Sequence, residues 1–389
     1  MEEWRGFDLT KRKRNILRAF NKQEIRKPEE FPIIVNTPCY FGFGNSDRPK
    51  EYWESPQVMI AFQEEAFESH LSKVDDDTIP YFMPWFGTGV LASAFGSDVI
   101  MASGKGDDPA IQGIIINEIK DIAGLKKIDP YNDGLMPKVL EFMEYAKTHS
   151  DLPIGLTDMN SPLSTATQLC GYENLFIWMY EEPEAVKDLL TIITESLIDW
   201  VKLQKEIIGE PLDSSNGLQG VWSPKGTGIW LSDDDIVSVG SKQYGEFIVP
   251  QYSKIFSAFG GGSLHFCGSG LHQADNILSI KDIKAVNNSP MGNFDVFGKF
   301  ANKVGRGKLT IQIQDIAPED IEGYYTKLFE KIDDLRGIML ATFVLDKVAS
   351  NNTGGAVSVK RDPIGAANDI VRVVRKCVEN KISNLSRSN

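Results

Sequence analysis

The stretch Ser263-Leu264-His265-Phe266-Cys267-Gly268-Ser269-Gly270 is a short apolar run carrying a His and a Cys two residues apart, which then breaks into a glycine-rich turn. Alternate residues of a strand point to the same side, so His265 and Cys267 project together from the strand's end. Imidazole and thiolate side by side are the ligands that zinc prefers. The plainer reading is a buried Cys beside a hydrogen-bonded His, and two ligands alone do not make a site. Gly260-Gly261-Gly262 precedes this strand instead of a helix, so it reads as a turn and not as a phosphate cradle.

Similar apolar runs recur on both sides. They fall at about 31–38, 79–86, 152–158 and 217–222 before this strand, and at about 283–288, 309–314 and 337–343 after it. Helical spacing of apolar residues fits between them at about 56–73 and 137–148, from near Ser164, again at 183–208 after a turn at Glu181-Glu182, and at 271–279, 295–304, 318–333 and 363–380. Ser232-Asp233-Asp234-Asp235 looks like a helix start, a hydroxyl cap followed by carboxylates. Residues 90–130 read as an irregular excursion. Eight strands separated by helices predict an α/β fold, a single (β/α)8 TIM barrel. The expected divisions are an N-terminal helical extension at 1–30 that caps the barrel, the barrel at 31–380 and a tail at 381–389. A doubly wound sheet is the alternative, but no Gly-rich fingerprint follows the first strand.

The 389 residues are 42% hydrophobic and 24% charged, enough for a large core. A net charge of −13 argues against nucleic acid as a partner. The one dense basic run, Lys11-Arg12-Lys13-Arg14, reads as the solvated face of an N-terminal helix. No apolar run reaches the ~18 residues of a membrane span. Cys39, Cys170, Cys267 and Cys377 are too scattered for a disulfide framework, which points to a reducing cytoplasm. There is no Gly-x-Ser-x-Gly elbow and no Walker loop.

Barrel enzymes place their chemistry at the C-terminal ends of the strands. The polar residues expected there are Asn36, Thr37, Asp158, Asn160, Trp222, Ser223, Asn287, Asn288, Gln312, Gln314, Asp315, Thr342 and Asp346. Amides and hydroxyls dominate, which suits hydrogen bonding to a polar ligand plus one metal better than a glycosidase's acid pair. Asp158, Asn160, Asn287, Gln312 and Gln314 are the catalytic candidates; Asn36, Trp222 and Ser223 are the cofactor-binding ones. A catalytic zinc commonly has three protein ligands. Beyond His265 and Cys267, the third is sought among His272, Cys39 and Asp346. Cys170 and Cys377 fall on helices and read as core; His70 and His149 read as surface residues.

The run Asn160-Ser161-Pro162-Leu163-Ser164-Thr165-Ala166-Thr167-Gln168-Leu169 and the later Tyr180-Glu181-Glu182-Pro183 resemble the central region of the uroporphyrinogen decarboxylase superfamily. So do Leu231-Ser232-Asp233-Asp234, the Tyr244-Phe247-Pro250 spacing and Leu264-His265-Phe266-Cys267-Gly268. The likeness spans about residues 8–375 and implies a (β/α)8 barrel. True decarboxylases of that superfamily carry an arginine-rich segment after the first strand. Here the matching stretch is Asn36-Thr37-Pro38-Cys39-Tyr40-Phe41, without the paired guanidinium forks an octa-acid needs. The zinc-dependent methyltransferases share the His-x-Cys strand, and in them a cysteine at the last strand is usually the third ligand. This chain has Leu340-Ala341-Thr342-Phe343-Val344-Leu345-Asp346 there.

The resemblance therefore implies a cobalamin (corrinoid)-dependent methyltransferase with a zinc site, acting on a small-molecule substrate. A methylcobalamin-type cofactor carried by a corrinoid protein would be the co-substrate, and the homodimer is the expected oligomer. The alternatives are a carboxy-lyase of a tetrapyrrole or smaller acid, with Asp158 stabilising a protonated intermediate, and a corrinoid-binding barrel without chemistry.

Overall fold

The structure is a computed structural model that describes residues 1–37, 48–102, 108–218, 220–349 and 358–388. Six strands form one parallel sheet: β1 (Ile33–Asn36), β2 (Ile229–Ser232), β3 (Gly262–Cys267), β4 (Ile283–Ser289), β5 (Thr310–Ile313) and β6 (Ile338–Phe343). Their spatial order is β1-β6-β5-β4-β3-β2. Helices intervene, as the sequence pattern requires, and the arrangement is α/β and TIM-barrel-like. No described helix is long and apolar enough to cross a membrane.

Two of the expected strands pair only at single points. Phe82 makes a lone parallel bridge with Ile154, and Asn160 another with Ser232 at the end of β2. Pro80, Pro84 and Pro153 lie in these two segments and lack the N–H that a continuous ladder needs. At the edge of β1, carboxylates stand in for a strand. Asp77 accepts from Ile33 N at 2.9 Å and Asp76 accepts from Val35 N at 2.8 Å.

The fourth strand differs from expectation. Ser215–Leu218 and Val221–Ser223 form a small antiparallel hairpin, and the sheet strand is Ile229–Ser232. An apolar run of three residues between a glycine loop and a capping signature carries little periodicity, so it is easily read as loop. Its start is tightly packed: a Cβ on Gly228, whose φ is +73°, would lie 1.7 Å from the Gly261 carbonyl oxygen.

The long helix Pro183–Ile208 shows how local sequence dictates structure. Proline opens it, Val186, Leu189, Leu190, Ile193, Leu197 and Val201 line its buried face, and Gly209 ends it in the left-handed conformation at φ +71°. In its last turn Lys205 is buried, with Nζ 2.5 Å from Glu210 and 2.5 Å from the Ser214 carbonyl oxygen. Glu210 in turn accepts from Asn216 N, so the pair fixes the lead into the hairpin.

The helix Thr10–Phe20 is less solvated than its basic run suggests. Arg12 is paired at 2.8 Å with Asp76, which has no exposed side-chain surface. His70 is also buried rather than on the surface. Its Nδ1 lies 2.6 Å from Thr37 Oγ1 and its Nε2 3.1 Å from Asp76. Residue spacing on the Pro56–Leu71 helix gives no hint of this, because a polar side chain on a buried face looks like one on a wet face. Burial would raise the Asp76 carboxyl, but His70 and Arg12 beside it hold it down at about 2. The Asp77 carboxyl is pushed up to about 7 by burial, with the charge of Asp76 adding to it.

Two outcomes are expected. Lys205→Met strands the Glu210 carboxylate in the interior and lowers stability by about 3–5 kcal/mol in chemical denaturation, while adding Glu210→Leu restores most of the loss. A single-variant effect within experimental error contradicts this. A raised folded-state pKa means that the folded protein binds the Asp77 proton more tightly than the unfolded chain, so stability falls as pH rises from about 4 to about 7. Wild type should therefore lose stability relative to Asp77→Asn across that interval and not above it; a difference constant with pH contradicts the assignment.

Candidate functional site

Parallel register aligns the inward-facing residues. Ser232 on β2 is opposite His265 on β3, His265 is opposite Asn287 on β4, and Asn287 is opposite Gln312 on β5. Cys267 is opposite Ser289. Phe266, between the two ligand candidates, packs edge-on against Phe300 of the Phe294–Val304 helix. His265 and Cys267 consequently share the other face.

Hydrogen bonds join the aligned residues into a directed chain. His265 Nδ1 lies 2.6 Å from Asn287 Oδ1, which can only accept, so Nδ1 carries the proton and Nε2 is left with its lone pair. Asn287 Nδ2 then donates to Gln312 Oε1 at 3.1 Å. Gln312 Nε2 and Gln314 Oε1 are buried without a hydrogen-bond partner. Trp230 stacks on the His265 ring at 5.3 Å between centroids, which fixes the ring plane.

Three donor atoms converge on the free side of His265. Cys267 Sγ is 3.8 Å from Nε2, and Asp234 Oδ1 is 3.6 Å from Nε2. Ligand atoms of Asp234, His265 and Cys267 all lie within 4.8 Å of one another, the one such group among the described residues. Bonds of 2.0–2.3 Å at tetrahedral angles give ligand-to-ligand separations of roughly 3.3–3.8 Å, and both separations from Nε2 fit zinc. One imidazole, one thiol and one carboxylate also match its chemistry. Burial pushes the Cys267 thiol up to about 12, and the carboxylates of Asp234 and Asp315 add to the shift. The thiol therefore stays protonated at neutral pH unless a cation is close by, and binding of a metal would release its proton.

The remaining sequence candidates lie outside the donor group, although Asn160 extends the aligned row through Ser232. Asp158 and Asn160 are buried near the end of the third segment, Asn160 at its bridge to Ser232. Asn36 ends β1, donates weakly to the Thr342 carbonyl at 3.4 Å and packs against Gly220. Trp222 and Ser223 are in the hairpin and not at a sheet-strand end, and Lys13 Nζ sits 4.9 Å over the Trp222 ring. His272 Nε2 faces the Val239 carbonyl at 3.3 Å, and neither His272 nor Asp346 joins the donor group. Cys39 lies outside the described residues.

Asp234 is the residue that sequence reasoning missed. Once Ile229-Trp230-Leu231 is recognised as a strand, Asp234 falls at its C-terminal end like the other candidates. The aromatic and β-branched character of that run is the signal that could have found it.

Comparison with protein-family models matches residues 13–208 to uroporphyrinogen decarboxylase (URO-D), a segment that ends before His265. None of the curated protein sequences compared with the chain matches it. Among solved structures, a methyltransferase from Methanosarcina mazei superimposes with a TM-score of 0.64 at 15% identity, covering 93% of this chain and 97% of its own. That likeness extends the fold beyond the matched segment and through the donor group. The family match takes in half of the chain and includes the Ser161-Pro162 helix start, where Ser161 accepts from Ser164 N. The chain belongs to the uroporphyrinogen decarboxylase (URO-D) family.

Proposed function

We propose that the chain is a methyltransferase in which a zinc ion at His265 and Cys267 activates a substrate heteroatom toward a methylcorrinoid carried by a partner protein. The observation that carries this reading is the 3.8 Å separation of Cys267 Sγ and His265 Nε2, with Nδ1 already committed to Asn287. Zinc in such a site supplies Lewis-acid activation of a bound heteroatom. The chain's own residues do the rest. Asn287 holds the imidazole in the tautomer that frees Nε2, and Trp230 keeps water from one face of the ring. Cys267 gives up its proton on binding. Gln312 Nε2 and Gln314 Oε1 offer one unpartnered donor and one unpartnered acceptor to orient a polar substrate. The fold-level likeness to a methyltransferase agrees with this reading. We also read the six strands with the two bridged segments as one (β/α)8 barrel, the Thr10–Phe20 helix lying across its N-terminal end. The Thr310 side chain at the start of β5 reaches the Ala19 carbonyl, as that placement requires.

A carboxy-lyase reading draws on the family match, but its substrate anions need free guanidinium groups. Arg48 is spent on Asp108 at 2.9 Å and on the Tyr52 and Trp53 rings, and Arg361 on the carbonyls of Ala317 and Pro318. Elemental analysis of protein purified without chelator should find zinc near one per chain, lost in the His265→Ala, Cys267→Ala double variant. With a thiol added as methyl acceptor, transfer of the methyl group from methylcobalamin to the sulfur, followed by the visible spectrum of the cob(I)alamin left behind, should be lost with it. Metal-free wild-type protein that remains folded would overturn the reading.

A further inference from the structure

We propose that Asp234 is the third protein ligand of this metal site, and that the carboxylates on either side of it, Asp233 and Asp235, are positioning residues that aim it. The proposal rests on the metal reading above. Three consecutive carboxylates repel one another, and two of the three are buried. Such a run needs a structural reason, and each member has a different one.

Asp233 turns inward. Its Oδ2 accepts from Tyr252 at 2.6 Å and from Tyr244 at 3.1 Å, and its backbone N donates to the His265 carbonyl at 2.8 Å. Asp235 turns the other way, with one oxygen accepting from Thr167 Oγ1 at 2.7 Å and the other from Tyr172 at 2.5 Å. Four hydroxyls thus pin the residues that flank Asp234. The carboxylate between them is directed at β3, where Oδ1 accepts from Cys267 N at 2.7 Å and lies 3.6 Å from His265 Nε2.

That placement is built by five elements at once: the end of β2, the Tyr244–Ile248 and Val249–Ala258 helical turns that carry Tyr244 and Tyr252, the Pro162–Cys170 helix that carries Thr167 and the Tyr172–Glu181 helix that carries Tyr172. A neutral imidazole, one thiolate and one carboxylate carry two negative charges, which balance a zinc ion. The Asp234 side chain is 61% exposed, so its side of the site stays open for a fourth, exchangeable ligand. Carboxylate in place of a second thiolate donates less electron density and leaves the ion a stronger Lewis acid.

The test is the apparent zinc affinity, measured by competition with a chromophoric chelator, together with the visible spectrum of the cobalt(II)-substituted protein. Asp234→Asn keeps an acceptor for Cys267 N but removes the charge, and should weaken zinc by about 100-fold or more and alter the cobalt bands. Asp235→Asn should weaken it by about 10-fold with the bands unchanged, the pattern of an outer residue. Asp234→Cys should restore binding and intensify the sulfur-to-cobalt absorption. Wild-type protein that binds zinc tightly while Asp234→Asn binds it equally well overturns the proposal and leaves the metal reading standing. Wild-type protein that binds no zinc overturns both.

Discussion

The in-register pairing of β2, β3, β4 and β5 is the constraint on which the site depends. Strand alternation fixes which side chains face inward, and the pairing sets their height. Ser232, His265, Asn287 and Gln312 come opposite one another for that reason alone. A one-residue slip of β3 would turn His265 and Cys267 toward the helices and bring Phe266 inward, away from Phe300. The apolar outer residues of the same strands oppose such a slip. Burial of Leu264 and Phe266 thus holds the geometry of a polar site to which neither contributes an atom.

Around that register the chain spends polar groups where backbone pairing gives out. Asp76 and Asp77 complete the edge of β1, and Lys205 with Glu210 holds the lead into the hairpin. Asp233 is a third case, joined to the sheet through its N–H to His265 and to two tyrosines through its carboxylate. Its carboxyl is pushed up to about 7 by burial, against the pull of the two tyrosine hydroxyls. Each of these buried acids carries a desolvation cost, which its hydrogen bonds offset.

Much of this was legible in the sequence. Ile33–Asn36 and the four strands from Gly262 onward stand out as apolar runs bounded by turns, and the His-x-Cys pair falls where strand alternation puts it. What could not be read has physical causes. The segments at 79–86 and 152–158 have strand-like composition, yet their prolines leave only isolated bridges. Ile229–Ser232 is too short to show a period, and the apolar residues of the neighbouring hairpin stand out more strongly. That one shift of the strand puts Trp222 and Ser223 at a sheet-strand end, whereas they lie in the hairpin, and hides Asp234 behind a helix-cap signature. His70 shows a different limit: sequence gives a residue's type and spacing but not the Asp76 and Thr37 partners that make its burial tolerable.

The central claim is that the end of β3 holds a metal through one sulfur and one imidazole. X-ray absorption at the zinc edge of the wild-type protein, loaded with one equivalent of zinc, tests it most directly. The account predicts a four-coordinate shell with a single sulfur at about 2.3 Å and nitrogen or oxygen neighbours at about 2.0–2.2 Å, including the outer-ring scattering of one imidazole. A shell of oxygen and nitrogen alone, with no sulfur, would contradict it.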